Sequence, residues 1–127
     1  MRSAGSIGTE GESGVVINTS SSAAYDGMPG MGAYAASKGA IRSLSLSAAR
    51  EFARYGIRVN SIAPGPFETG LVADIPEDAL DAMKKMTVFP DRFGLPEEFG
   101  SLVLEVCRNL AFYGSDIRLD VAIRFSP

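Results

Sequence analysis

Tyr34 and Lys38 stand four positions apart, and three consecutive serines, Ser20 to Ser22, precede them. On a helix that spacing puts the phenol and the ammonium on one face, one above the other. A cation beside a phenol favours the phenolate. Tyrosine otherwise titrates too high for proton transfer near neutrality, so such tuning is what general acid–base work requires. A serine hydroxyl presented at a strand end could hydrogen-bond the oxygen that gains or loses the proton. Together these residue types point to general acid–base chemistry.

The elements that must position them read as follows. Val15-Val16-Ile17 is a short apolar run bounded by polar and Gly residues, which predicts a buried strand at about Gly14 to Thr19. A loop with Gly27, Pro29, Gly30 and Gly32 follows, and a helix runs from near Gly32 to Tyr55, with Gly56 as its left-handed stop. Its apolar residues form two stripes, Ile41, Leu44, Ala48 and Phe52 on one and Leu46, Ala49 and Ala53 on the other. Such a helix is expected to be buried on more than one side: one stripe covers the sheet and the second takes another partner. Ile57 to Ala63 is a second strand, ended by Pro64-Gly65-Pro66. A loop from Phe67 leads to a short helix near Pro76 to Met86, whose first turn suits Pro76, Glu77 and Asp78. Pro96-Glu97-Glu98 starts a further helix, with Phe99, Leu102, Val103, Val106 and Leu110 at helical spacing. Ser115 to Val121 is the third strand, alternating Ile117, Leu119 and Val121 with Arg118 and Asp120. Strands separated by helices predict an α/β fold, a parallel sheet with covering helices.

With 127 residues the chain is one domain's worth. A net charge of −3 gives no footprint for nucleic acid or an anionic membrane surface. No run is apolar and long enough to span a bilayer. Without histidine, and with Cys107 as its one cysteine, the chain is expected to hold no metal and no internal disulfide. Residues 1–13 are Gly/Ser-rich and read as a flexible arm, not a signal peptide, leaving 14–127 as the folded portion. A cytoplasmic location is the expectation.

The string Ile-Asn-Thr-Ser-Ser through Ala-Tyr-Ala-Ala-Ser-Lys-Gly-Ala, followed by Ile57-Arg-Val-Asn-Ser-Ile-Ala-Pro-Gly65, resembles the short-chain dehydrogenase/reductase family. That family's signature is a serine about thirteen positions before Tyr-x-x-x-Lys, which selects Ser21 from the three serines. Phe89-Pro-Asp-Arg-Phe-Gly94 and Ile117-Arg-Leu-Asp-Val-Ala-Ile-Arg124 resemble its type 2 3-hydroxyacyl-CoA dehydrogenases. The likeness runs from about residue 14 to the C-terminus. It implies the C-terminal part of a Rossmann-type doubly wound sheet, with the N-terminal half, and its Gly-rich pyrophosphate turn, absent. Val121 departs from the family, which usually has Gly after Leu-Asp.

The resemblance implies hydride transfer between a nicotinamide, NAD with NADP as the alternative, and an alcohol or ketone, either a 3-hydroxyacyl-CoA or a hydroxysteroid. Tyr34 would exchange the proton with the substrate oxygen, and Ser21 would orient that oxygen. Lys38 would favour the phenolate and hold the ribose hydroxyls. Pro64 and Gly65 would lie beside the nicotinamide, and Phe67, in the same loop, and Thr69 would also bind the cofactor. The loop and helix before Met86 would cover the substrate, with Met83 and Met86 as a pliable apolar wall. The partner implied is a second copy or a full-length relative, and the animal type 2 relatives imply the mitochondrial matrix as the alternative location. A non-catalytic family member acting through oligomerisation is the second reading. A hydrolase using Ser21 activated by Lys38 is the third.

Overall fold

The computed structural model describes residues 11–125. Most of the arm expected over 1–13 therefore lies outside the described residues. Within its last three positions, Glu12 is buried and the Ser13 N–H donates to the Gly56 carbonyl at 2.7 Å. Three strands, β1 (Gly14–Thr19), β2 (Ile57–Pro64) and β3 (Asp116–Leu119), form one parallel sheet in the order β1-β2-β3. Gly14 pairs with Ile57 and Thr19 with Ile62, while Ser61 pairs with Asp116 and Pro64 with Leu119. Between them lie α1 (Ala23–Asp26), α2 (Gly32–Phe52), α3 (Glu77–Lys84) and α4 (Pro96–Arg108), with 3₁₀ turns at Ala53–Tyr55 and Gly70–Asp74.

Side chains alternate across a strand, so the two faces of β2 meet different layers. Asn18, in register with Ser61, donates to Ser45 on α2 at 3.2 Å, which puts α2 over that face. Arg58 and Asn60 point the other way, toward α4 and the chain after it. Arg58 donates to the Val106, Cys107, Asn109 and Phe112 carbonyls, and Asn60 to Phe112 at 2.9 Å. Arg58 thereby satisfies carbonyls that the end of α4 leaves without intrahelical partners. Its guanidinium also pairs with the buried Glu12 at 2.9 Å. The apolar core is Val59, Ile62 and Ala63 of β2 with Ala49, Phe93, Val106 and Ile123 around them.

Four expectations need correction. The fully buried positions of α2 are Ser45 and Ala49, so a serine and an alanine, not a full apolar stripe, cover the sheet. Ser45 can sit on the sheet face because its hydroxyl donates to Ile41 O at 2.9 Å and accepts from Asn18. The last turn predicted for this helix tightens to 3₁₀ at Ala53–Tyr55, and Gly56, with φ 67°, stops it. The short helix before Met86 is narrower than expected, Glu77–Lys84, although Pro76 and both acidic residues stand at its start. The third strand ends at Leu119, because Asp120 to Ile123 form a tight turn closed by Ile123 N–H to Asp120 O at 2.9 Å.

Candidate active site

Beyond Thr19 the chain keeps following β2. Ser20 N–H donates to Ile62 O at 2.9 Å and Ser22 N–H to Pro64 O at 3.0 Å. Ser20 turns its hydroxyl inward, donating to Asp116 at 2.6 Å and approaching Ile62 O at 3.2 Å. The Ser21 hydroxyl instead accepts the Ala23 N–H at 3.1 Å, at the start of α1. A hydroxyl that accepts still has a proton to give, and no acceptor takes it among the described residues. The chain reverses through Gly27 and Gly30, at φ 65° and 78°, and enters α2 two residues before Tyr34.

Tyr34 is 42% exposed, so its phenol is accessible. One turn later, the Lys38 ammonium lies 5.8 Å from the centre of the Tyr34 ring and donates to Thr19 O at 3.1 Å. That bond draws the ammonium to the C-terminal end of β1. Pro64 and Gly65 stand at the same end of β2. Gly65 is packed so closely on Asp120 that an added Cβ would lie 2.7 Å from the aspartate Cβ. Ligands of open parallel sheets bind in the crevice beyond the carboxyl ends of the strands. The Phe67 ring is committed elsewhere, edge-on to Phe99 with centroids 6.0 Å apart and against Gly94. Thr69 is exposed and opens the Gly70–Asp74 turn with its backbone alone, leaving its hydroxyl uncommitted to capping. The structure thus gathers Lys38 with Tyr34 and with the end of β1, and Pro64 with Ser22. No hydrogen bond joins Ser21 to Tyr34 or Lys38 among the described residues.

Sequence reasoning missed a cluster beside these residues. Asp116, at the start of β3, accepts the hydroxyls of Ser20, Ser61 and Tyr25, and Arg42 Nε lies 3.7 Å from it. Burial pushes its carboxyl up, but these hydrogen bonds and Arg42 outweigh that and hold it below the usual carboxylate range. Burial and the contact with Asp116 push the Tyr25 phenol up. The Arg42 and Arg118 guanidiniums lie 4.1 and 4.7 Å from the Tyr25 ring centre. Arg118 pairs with Asp26 and Asp120, and Asp26 accepts the Phe125 N–H at 3.1 Å, so the end of the described chain is tied to α1. No spacing along the chain marked it, because only the pairing of Ser61 with Asp116 in the sheet puts their side chains on one face. A separate hollow of about 290 Å³ lies at the opposite end of β2, lined by Glu12, Gly56, Arg58 and Tyr113, away from Tyr34 and Lys38. Among the described residues no acidic or cysteine cluster is placed to hold a metal, and no helix is long and apolar enough to cross a membrane.

The family described as Enoyl-(Acyl carrier protein) reductase matches residues 1–120. The chain belongs to the short-chain dehydrogenase/reductase family. This short-chain dehydrogenase/reductase chain is 45% identical to human 3-hydroxyacyl-CoA dehydrogenase type-2 over 117 residues, 92% of its own length and 45% of that protein's. It superposes on the crystal structure of 3-hydroxyacyl-CoA dehydrogenase type-2 from Mycobacterium avium with a TM-score of 0.85 and 40% identity, covering 92% of this chain and 45% of that one. A 4-hydroxyisoleucine dehydrogenase complexed with NADH matches at a TM-score of 0.70 and 32% identity, over 84% of this chain and 44% of that one. The chain spans about half the length of the curated relatives it matches.

The donor set fits the nicotinamide–ribose end of a dinucleotide. Lys38 supplies an ammonium at the strand ends, Thr69 an uncommitted hydroxyl, and Tyr34 an accessible phenol. Among the described residues no glycine-rich turn joins a strand directly to a helix N-terminus, the arrangement that cradles a pyrophosphate.

Proposed function

We propose that this chain carries the proton-transfer and nicotinamide-facing part of an NAD(H)-dependent oxidoreductase acting on an alcohol or ketone. The single observation that supports it best is Lys38, whose ammonium bridges from beside Tyr34 to the Thr19 carbonyl at the C-terminal end of the sheet. The bound nicotinamide supplies the hydride chemistry. Tyr34 gives the proton to a ketone oxygen or takes it from an alcohol, and Ser21 donates its free proton to that same oxygen, orienting it. Lys38 keeps a positive charge beside the phenol and offers its remaining protons to the ribose hydroxyls. Thr69 and the backbone of Pro64 and Gly65 face the nicotinamide end, with Phe67 contributing through its backbone because its ring packs on Phe99. A 3-hydroxyacyl-CoA is the substrate class favoured by the relatives' names, and a hydroxysteroid is the alternative.

Calorimetric titration of the purified chain with NADH tests this reading, repeated with Tyr34→Phe and Lys38→Ala. Micromolar binding is expected, weakened about tenfold or more without Lys38 and little changed in Tyr34→Phe, whose defect lies in turnover. A folded chain that binds no NADH would sink it.

A second reading is favoured by the exposed apolar side chains Val16, Leu44 and Phe52. In that reading the chain acts by association with a second copy or a longer relative, through the exposed side of α2 and the open edge of the sheet at β1. Sedimentation of the chain at rising concentration distinguishes the two: association without NADH binding selects the second.

A further inference from the structure

Asp116 is where four separate elements meet. Ser20, in the loop after β1, and Ser61 on β2 donate to one carboxylate oxygen, and Tyr25 on α1 donates to the other. Arg42 on α2 approaches that second oxygen at 3.7 Å while its guanidinium covers the Tyr25 ring. The Asp116 side chain is 10% exposed, and three hydroxyl donors with one cation satisfy both oxygens. Hydrogen bonds to an ionised acceptor are stronger and more directional than neutral ones.

Two of these contacts lie one step from the proposed chemistry. Ser20 is the residue before Ser21, and its backbone and hydroxyl are both fixed, to Ile62 and to Asp116. Arg42 is one helical turn beyond Lys38 and on the same face of α2. Between them, α1 is held by Tyr25 on Asp116 and by Asp26 on Arg118. Without Asp116, Ser20 would retain only its bonds to Ile62, and Arg42 would lose the anion that draws it over α1. We propose that Asp116 is a positioning residue, fixing the serine loop that carries Ser21 against the α2 turn that leads on from Lys38. Its catalytic meaning rests on the proposed function. Its mechanical content does not.

Site-resolved amide hydrogen exchange on the whole chain tests it, comparing Asp116→Ala and Asp116→Asn with the unaltered protein. The Ser22 and Ala23 amides report directly on the serine loop, because they donate to Pro64 O and to the Ser21 hydroxyl. In Asp116→Ala both are expected to exchange about tenfold faster or more, while the strand amides of Val59 and Asn60 and those of α4 keep their protection. Asp116→Asn preserves the volume and one acceptor oxygen, so it should show a smaller change of the same pattern and serves if the alanine variant fails to fold. Equal acceleration everywhere would reduce Asp116 to a general stability residue, and unchanged exchange at Ser22 and Ala23 would overturn the proposal outright. In a hydride-transfer assay, misplacing Ser21 should lower kcat about tenfold or more with KM within about twofold. A raised KM at unchanged kcat would count against it. Failure of the unaltered chain to bind NADH removes the proposed function, and the exchange pattern still decides the positioning role.

Discussion

Val121 is held at φ 47° and Ala122 at φ 60°. Positive φ at both central residues, with Ile123 N–H returned to Asp120 O, marks a type I′ turn. Such turns suit Gly and Asn, and a β-branched residue there is strained by its Cβ. The sequence flags the position as a departure from the family's Gly, and the structure gives the reason in backbone conformation. Asp120 compensates in part by accepting the Ala122 N–H at 3.2 Å. Val121→Gly is therefore expected to stabilise the fold by about 1 kcal/mol, the left-handed penalty less the glycine entropy. A melting temperature raised by several degrees would bear this out, and a lowered one would mean that Val121 packing outweighs its strain. At the same scale, Tyr34 and Lys38 were legible because a helix repeats every turn, whereas Asp116 was not. Its partners lie as far away as position 20, and only the register of three strands brings them together.

Among elements, β1, β2 and the long helix were read nearly to the residue, since apolar runs and Gly or Pro punctuation bound them. The four-residue α1 and the Gly70–Asp74 turn carry no period of their own, so nothing in the chain announced them. The attachment of α4 to the sheet was equally hidden, because it depends on Arg58, a charged residue within an apolar strand. Arg58 spans the sheet face to four carbonyls at and beyond the end of α4, and Glu12 covers its other side. Removing it leaves buried carbonyls and a buried carboxylate without a donor. Arg58→Met should cost about 3–5 kcal/mol, read as a lower urea midpoint. Glu12→Gln should cost far less, about 1 kcal/mol, because the four carbonyl bonds survive and one Glu12 oxygen has no partner to lose. Equal losses from the two substitutions would show that the ion pair, and not the helix attachment, carries the stability.

At the scale of the whole molecule, two carboxylates among the described residues, Asp116 and Glu98, are held below their ordinary range. Asp116 is held there by its hydroxyl donors and Arg42, despite burial. Glu98 falls to about 2, first through its paired hydrogen bonds from Arg92 and then through the Leu95 N–H. Groups depressed in the folded state contribute stability above their unfolded pKa, and that contribution is lost as pH falls through the folded one. The urea midpoint should therefore decline on acidification from the ordinary carboxylate range toward about 2. Asp116→Asn should flatten part of that decline, and an unchanged slope in that variant would remove Asp116 from the account. The sheet has a further consequence, in time and not in energy. Ser20 meets Ile62 across 42 positions, and Ser61 meets Asp116 across 55. A ribosome adding roughly 5–20 residues per second leaves β1 several seconds without the strand that completes it. Tyr34 and Lys38 thus emerge well before the aspartate that ties down the loop of Ser21 has been translated.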